Sequence, residues 1–254
     1  WSESDGYVQI LYNAGRALQA RELTQQQTIL SNEIARFGRN IFKEGAAVNP
    51  GGITINYYEF VKLDAVPSFP GEEMVGIEFT GQDDGVICEV LEYLPAENGD
   101  PDTIFIRYTN TETGTPGSTP VRFSANEILS GVLPVSGSQD ITVQALDTPE
   151  NPATGQGTKV SNGQGDFFVE GHFINVNGQS IVVSKYDTDP TVTIGFVITQ
   201  DIVTEVDNVD LFDNQGQVPN ITAPGAHRRR IVATLSTLES TTVDDKFVFS
   251  ADIR

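Results

Sequence analysis

Residues 17–42 read ALQARELTQQQTILSNEIARFGRNIF, the one long helical pattern in a sequence that otherwise consists of short strand-like and turn-like segments. Apolar residues recur along it at spacings of seven, four, three and four, which are typical of a coiled-coil seam. The seam contains Leu23, Leu30, Ile34, Phe37 and Ile41. We therefore predict a long, coiled-coil-like N-terminal α-helix whose apolar face requires a partner.

One polar residue interrupts this seam. In a heptad frame, the d positions are Leu23, Leu30 and Phe37, and the a positions are Gln27, Ile34 and Ile41. A polar residue at an a position fixes the register of neighbouring helices at some cost in stability. The sequence thus predicts an oligomer interface made of Leu23, Gln27, Leu30, Ile34, Phe37 and Ile41.

Short motifs towards both ends of the chain are distinctive. The N-terminal motifs are GRALQAREL at 15–23 and RFGRNIFKEG at 36–45. The later motifs are FVEGHFINV at 168–176, NQG at 214–216 and APGAHR at 223–228. Together they resemble an uncharacterised structural-protein family of tailed phages, which occurs in tail-fibre and baseplate proteins, notably of cyanobacterial phages, and has no agreed chemistry to transfer. The resemblance implies a virion component, assembled in the host cytoplasm, that forms a homotrimer and docks on other tail or baseplate proteins.

Composition excludes several classes of partner. The formal net charge is -20, from 35 acidic and 15 basic residues, so nucleic acid and anionic membranes would be repelled. No apolar run approaches the length of a transmembrane helix, and we expect no membrane insertion. The single cysteine, Cys88, cannot form a disulfide within the chain and reads as a small buried hydrophobe.

After the helix, the sequence changes to the alternation of half-buried strands. Ile53, Ile55 and Tyr57 alternate with polar residues, and further short apolar runs recur between turn signals up to the C-terminus. Asp84-Gly85 and Asn177-Gly178 are typical of tight hairpin turns, and the second is the stronger signal. The predicted fold is mainly β: the N-terminal helix followed by antiparallel, β-sandwich-like domains.

Two Gly- and Pro-rich segments indicate the domain organisation. Residues 109–120 resemble a long loop, and residues 147–165 form a longer one, which is uncommon inside a compact domain. The predicted limits are 1–50 for an N-terminal arm and helix, 51–147 for a β-domain read as an insertion, 148–165 for a linker, and 166–254 for a second β-domain.

No catalytic, cofactor-binding or metal-ligating set is predicted. A zinc site needs several Cys or His ligands, and the chain offers one cysteine with His172 and His227. Acidic side chains could bind calcium, but the spacing of the acidic cluster fits no EF-hand; its members are Asp201, Glu205, Asp207, Asp210 and Asp213. The basic cluster at 227–230 has two interpretations. Either it forms ordinary surface salt bridges, or Arg228 or Arg230 pairs with an acidic neighbouring chain.

The sequence therefore favours a non-enzymatic structural component of a tailed-phage virion, a tail-fibre or baseplate protein that acts by oligomeric assembly. One alternative is a receptor-binding fibre that recognises host-surface glycans through Tyr57, Tyr58 and Tyr93. The other is a polysaccharide depolymerase, which the absence of internal β-helical repeats disfavours.

Overall fold

The computed structural model describes residues 2–83, 85–97, 99–111, 122–213, 220–240 and 246–253. Strands account for 48% of it, the sheets are antiparallel, and one α-helix lies near the N-terminus, which confirms the mainly β prediction. In this described part of the chain, no helix is long and apolar enough to cross a membrane.

The helix α1 spans Ala20–Ile41, and short 3₁₀ turns occur at Glu3–Asp5, Gly71–Met74, Val209–Leu211 and Leu238–Ser240. The strands are β1 Ile53–Lys62, β2 Glu78–Gly81, β3 Ile87–Leu94, β4 Thr103–Asn110, β5 Ile128–Leu133, β6 Gly137–Thr142, β7 Thr154–Asn162, β8 Gly165–Val169, β9 His172–Val176, β10 Gln179–Ser184, β11 Val192–Val203, β12 Phe212–Asp213, β13 Asn220–Pro224, β14 Arg228–Thr237 and β15 Lys246–Ile253.

The chain divides into two compact units, each assembled from segments that are distant in sequence. Unit 1 comprises Trp1–Thr54, Ser161–Ile181 and Thr191–Arg254, and unit 2 comprises Ile55–Val160 and Val182–Pro190. This division differs from the predicted limits of 51–147, 148–165 and 166–254. The N-terminal helix shares a unit with the C-terminal strands, because the strands on which it packs lie more than a hundred residues further along the chain.

Unit 2 is organised around one large sheet. Its strand order is β10-β7-β1-β4-β3-β2-β5-β6, and the strands β1, β7 and β10 extend beyond the limits of the unit. Backbone hydrogen bonds also join the end of β1 to the end of β6: the amide of Asp64 donates to Thr142 O at 2.9 Å, and the amide of Gln144 donates to Lys62 O at 2.8 Å. Six of the eight strands therefore close into a ring.

The interior of this ring holds the apolar core of unit 2. Its members include Phe79, Met74, Leu63 and Ile104, each at most 2% exposed. Cys88 also lies there with no exposed surface, and burial raises the pKa of its thiol to about 12. The sequence interpretation of Cys88 as a small hydrophobe thus agrees with its position.

Unit 1 contains the helix and three small sheets. One has the order β14-β11-β15, and the hairpin β8-β9 and the paired strands β12 and β13 form the other two. The rings of Phe167 on β8 and Phe196 on β11 meet edge to face at 4.8 Å, and both side chains are fully buried. This aromatic contact joins the hairpin β8-β9 to the three-stranded sheet.

The hairpin prediction at Asn177-Gly178 is wrong, because β9 and β10 do not pair. The hairpin turn lies at Glu170-Gly171 between β8 and β9, where Val169 pairs with His172. Both turn residues have positive φ, 53° and 79°, which matches the two-residue turn that the right-handed twist of a hairpin favours. Asn177 instead accepts a hydrogen bond from the side-chain amide of Asn162 at 3.1 Å.

The predicted linker at 148–165 also differs from the structure. It contains the nine-residue strand β7, whose Thr158, Val160 and Asn162 are buried. Small residues allow this strand to pack closely, since a Cβ on Gly155 would come within 2.9 Å of the Phe60 ring. Residues 112–121 of the other predicted loop, Asp84 of the first hairpin, and the motif at 214–216 lie outside the described residues.

Candidate functional site

The candidate site is an exposed apolar stripe on α1. All five apolar seam residues lie on one face of the helix and are between 47% and 65% exposed: Leu23, Leu30, Ile34, Phe37 and Ile41. Gln27 is also exposed, at the edge of this stripe. The structure thus brings the predicted interface residues together, and it leaves them open to solvent.

A different face of α1 packs against the rest of unit 1, and its buried residues are Ala35 and Gly38. Ile29, the third buried residue of the helix, lies beside the N-terminal arm. Gly38 lies so close to the hairpin β8-β9 that a Cβ on it would come within 2.3 Å of the Phe168 ring. The ring of Phe42, just after the helix, lies 6.0 Å from Phe168 and meets Phe173 edge to face at 5.6 Å.

The hairpin turn adds a second anchor for the helix. A Cβ on Gly171 would come within 2.6 Å of the Ala35 Cβ, so the turn approaches the helix as closely as a glycine permits. The Glu170 side chain is 12% exposed and accepts hydrogen bonds from Lys246 Nζ and Gln200 Nε2. Its backbone amide donates to the carboxylate of Glu44, which follows the helix. The helix is therefore held by contacts that do not involve the stripe.

Beside the stripe lies a groove of about 700 Å³. One wall is the polar face of α1, which contributes Thr24, Gln27, Thr28, Ser31 and Asn32. The opposite wall is strand β14, with Arg229 and Ile231, and the strand β9 contributes His172 and Ile174. No sequence pattern predicts this groove, because polar residues on an exposed helix face are ordinary.

The N-terminal arm before α1 runs along yet another face of the helix. The Tyr12 hydroxyl donates to Gln26 Oε1 at 2.7 Å, and the Arg36 guanidinium lies 3.5 Å from the Glu3 carboxylate. Side chains of the arm remain open, since Tyr7 is 57% exposed, Val8 74% and Leu11 79%.

Three of the five acidic residues considered for calcium have partners within the chain. Asp201 receives two hydrogen bonds from Arg230, which lower the pKa of its carboxyl. Asp207 accepts from the amide and hydroxyl of Thr204, and these bonds lower its pKa as well. Glu205 lies 3.2 Å from His227. Among the described residues, no three or more His, Cys, Asp or Glu side chains converge as a metal site.

The basic cluster is also engaged within the chain. Arg230 pairs with Asp201, and Arg228 donates to the carbonyl oxygen of Ala226 at 2.5 Å. Arg229 donates to Gln200 Oε1 at 2.7 Å and lies 3.9 Å from Glu170. The ion pairs of Arg230 and Arg229 are surface salt bridges within the chain, which is the first of the two interpretations of this cluster.

The tyrosines of the glycan-binding alternative have different surroundings. Tyr57 is 56% exposed, whereas Tyr58 stacks on Phe105 at 6.1 Å. The Tyr93 hydroxyl donates to Asp102, and burial is the largest cause that raises its pKa to about 12. Two of the three tyrosines thus contribute to packing within unit 2.

Comparison with known proteins adds no assignment to this geometry: no family model, no curated protein and no solved structure matches the chain.

Proposed function

We propose that this chain is a non-enzymatic structural subunit of a tailed-phage virion, in a tail fibre or baseplate, and that it assembles with copies of itself through the exposed stripe on α1. The motifs at 15–23, 36–45, 168–176 and 223–228 support the virion assignment by resemblance. The assembly mechanism draws on the observed geometry of the helix. The trimeric coiled coil and the sandwich-like arrangement of β-domains stay predictions.

One observation carries the assembly proposal: the stripe is exposed although α1 is already anchored by a different face. A helix on a protein surface normally turns its apolar stripe towards its own core. Here Gly38 and Ala35 face the hairpin β8-β9, while Phe37 and Ile34 point away from it into solvent. Contiguous apolar surface of this kind marks a protein-protein contact in soluble proteins.

The chemistry of the stripe favours further copies of the same helix. Burying the exposed half of a Leu, Ile or Phe side chain contributes about 1 kcal/mol. Heptad spacing allows such residues to interdigitate along the whole helix, and Gln27 at its edge restricts the register. The mixture of Leu, Ile, Phe and Gln at a and d does not encode a dimer, and the phage resemblance points to three copies.

Mass measurement of the purified chain tests this proposal. Leu30→Asp with Ile34→Asp should convert the oligomer to a monomer, because two carboxylates cannot be buried unpaired in a seam. The monomer should retain its strand-type circular dichroism, since α1 is anchored elsewhere. Light scattering gives the mass directly.

A matched control is Gln25→Asp with Asn40→Asp, which adds the same charge to α1 away from the stripe. This variant should stay oligomeric. An oligomer of unchanged mass in Leu30→Asp/Ile34→Asp, or a monomeric wild-type chain, would refute assembly through the stripe.

Two assays separate the alternatives. If the protein is a receptor-binding fibre, it should bind to a glycan array. Tyr57→Ala should abolish that binding, whereas a substitution at a buried position should not. A depolymerase predicts steady release of reducing ends from host envelope polysaccharide. The structural proposal expects no such release, and release that persists through further purification would overturn it.

A further inference from the structure

Strand β14 is an edge strand of unit 1. In the order β14-β11-β15, it has one neighbouring strand among the described residues. Its register with β11 is continuous from Ile194-Thr237 to Val203-Arg228, so no bulge shifts the direction of its backbone groups. An edge without a strand neighbour is a template for pairing with another strand.

The side chain of Gln179 shows which residues of β14 face outward. The amide of Leu235 donates to Gln179 Oε1 at 2.9 Å, and Gln179 Nε2 donates to Ala233 O at 2.9 Å. In an antiparallel strand, alternate residues direct both backbone groups to the same side. Ile231 and Arg229 precede Ala233 at intervals of two residues, so their backbone groups face outward as well.

These two residues form one wall of the groove beside α1. The opposite wall carries small hydroxyl residues, and the hydroxyls of Thr24 and Thr28 donate to helix carbonyl oxygens at 3.1 and 3.0 Å. Their hydrogen-bonding capacity as donors is therefore already used within the helix. A groove between a helix and a free strand edge is the geometry in which extended peptides bind by strand addition.

We propose that this groove accepts the N-terminal segment Tyr7–Tyr12 of a second copy of the chain, which adds as a strand to the edge of β14. The segment reads YVQILY and is rich in residues that favour strands. Within the part of the chain that the structure describes, its residues form no backbone-backbone hydrogen bond. Most of its large side chains are exposed.

Length and charge are compatible with this occupant. The helix wall from Thr24 to Arg39 spans about 22 Å at 1.5 Å per residue. A strand of the length of YVQILY spans about 20 Å. The groove carries Arg39, Arg229 and His172, whereas the segment is preceded by Glu3 and Asp5. The carboxylate of Glu170 also lines the groove, and it pairs with Arg229 and Lys246 within the chain. The copy's own arm lies on a different face of the helix, near Ile29 and Gln26.

The inference rests on the proposed self-assembly, since it supplies a second contact between copies beside the stripe. Its test uses two full-length variants that are mixed under mild oxidation. One carries Ile231→Cys, and the other carries Val8→Cys or Gln9→Cys, whose side chains point to opposite faces of an added strand. The native Cys88 has no exposed surface and does not compete.

Docking should yield a disulfide-linked heterodimer for one of the two arm positions. It should form about tenfold faster or more than with the control partner Val135→Cys, because docking raises the local concentration of the thiols. Val135 is 83% exposed and lies in unit 2, outside the groove. Slow hydrogen exchange of the amides at 7–12 in the wild-type assembly is the second expected result.

Each contrary outcome has a distinct meaning. A link that forms only within a doubly substituted chain, at a rate independent of concentration, would show that the groove takes the copy's own arm and would overturn the proposal. Linking no faster than the control would also overturn it. If light scattering then still shows an oligomer, only the docking of the N-terminal segment is refuted, and assembly through the stripe is retained. A monomer would refute both proposals.

Discussion

At the scale of single residues, the hairpin turn Glu170-Gly171 shows how a strained conformation is maintained. A non-glycine residue with φ of 53° is uncommon because the left-handed conformation brings Cβ close to the following carbonyl oxygen. Contacts from Lys246, Gln200 and Glu44 hold Glu170 in place. The turn therefore positions the helix as well as joining two strands.

The first residue-scale prediction concerns Gly171. Gly171→Ala should lower the free energy of unfolding by about 2–4 kcal/mol, because it adds left-handed strain and a clash with Ala35. Urea titration followed by circular dichroism measures this change. Gly15→Ala is the control, since Gly15 has a similar φ of 78° with no atom within 4 Å of an added Cβ. Equal losses in both variants would show that the contact with Ala35 is unimportant.

The pair of Asp201 and Arg230 predicts a pH dependence. Hydrogen bonds from Arg230 lower the pKa of the Asp201 carboxyl from its ordinary value of 3.8. A carboxyl with a lowered pKa in the folded state stabilises the fold above its unfolded pKa and loses that contribution as pH falls. Wild type should exceed Asp201→Asn in stability at pH 7, and the difference should begin to shrink near pH 3.8 and disappear only below the lowered pKa of the folded state.

Unfolding titrations across this pH range provide the measurement. The variant Arg230→Gln is the control, because Asp201 then lacks the group that lowers its pKa. A difference between wild type and Asp201→Asn that stays constant down to low pH would show that the ion pair does not stabilise the fold.

At the scale of elements, α1 has distinct faces with distinct partners. Its glycine face packs on the hairpin β8-β9, its arm face contacts the N-terminal segment, and its apolar stripe is exposed. A glycine in the middle of a helix normally costs about 1 kcal/mol relative to alanine. At Gly38 the close approach of Phe168 explains why the helix carries that cost.

Gly38→Ala should therefore destabilise unit 1 although the same change stabilises most helices. A loss of about 1–3 kcal/mol is expected from overpacking against the Phe168 ring, and chemical denaturation measures it. Phe168→Leu should relieve the clash, so the double variant should lose less than the sum of the single changes. Additive losses, or a gain in stability in Gly38→Ala, would contradict the close packing of helix and hairpin.

At the scale of the whole molecule, the two units are built from interleaved segments. Cutting the chain in the segment 148–165 would divide unit 1, because α1 and the hairpin β8-β9 would fall on different fragments. It would also separate strand β7 from the sheet in which it lies next to β1. The two units therefore do not correspond to consecutive stretches of the sequence.

This organisation predicts the behaviour of fragments. Residues 166–254 expressed alone should lack stable strand structure, because the aromatic face of the hairpin loses its cover by α1 and Phe42. Circular dichroism and thermal unfolding measure this. The fragment 1–165, which retains strand β7, mixed with 166–254 is the comparison, and recovery of a cooperative transition only on mixing is expected. A cooperative transition in 166–254 alone would support the linear domain order instead.

The sequence by itself determined the features that depend on local periodicity. The pattern at 17–42 predicts the helix observed at Ala20–Ile41, and it identifies the stripe that the structure leaves exposed. Alternation likewise predicts the strands that begin at Ile53 and the long C-terminal strands. These predictions succeed because a period of 3.5 to 3.6 or of 2 residues sets which side chains share a face.

The tertiary structure alone decided which strands pair and which faces meet. Asn177-Gly178 has the stronger local turn signal, yet the hairpin closes at Glu170-Gly171, where helix α1 and residues as distant as Lys246 support the turn. Strand β7 forms in a Gly-rich segment for a similar reason, since neighbouring strands compensate for its weak propensity. Contacts between residues far apart in sequence supply that free energy, and no local pattern encodes them.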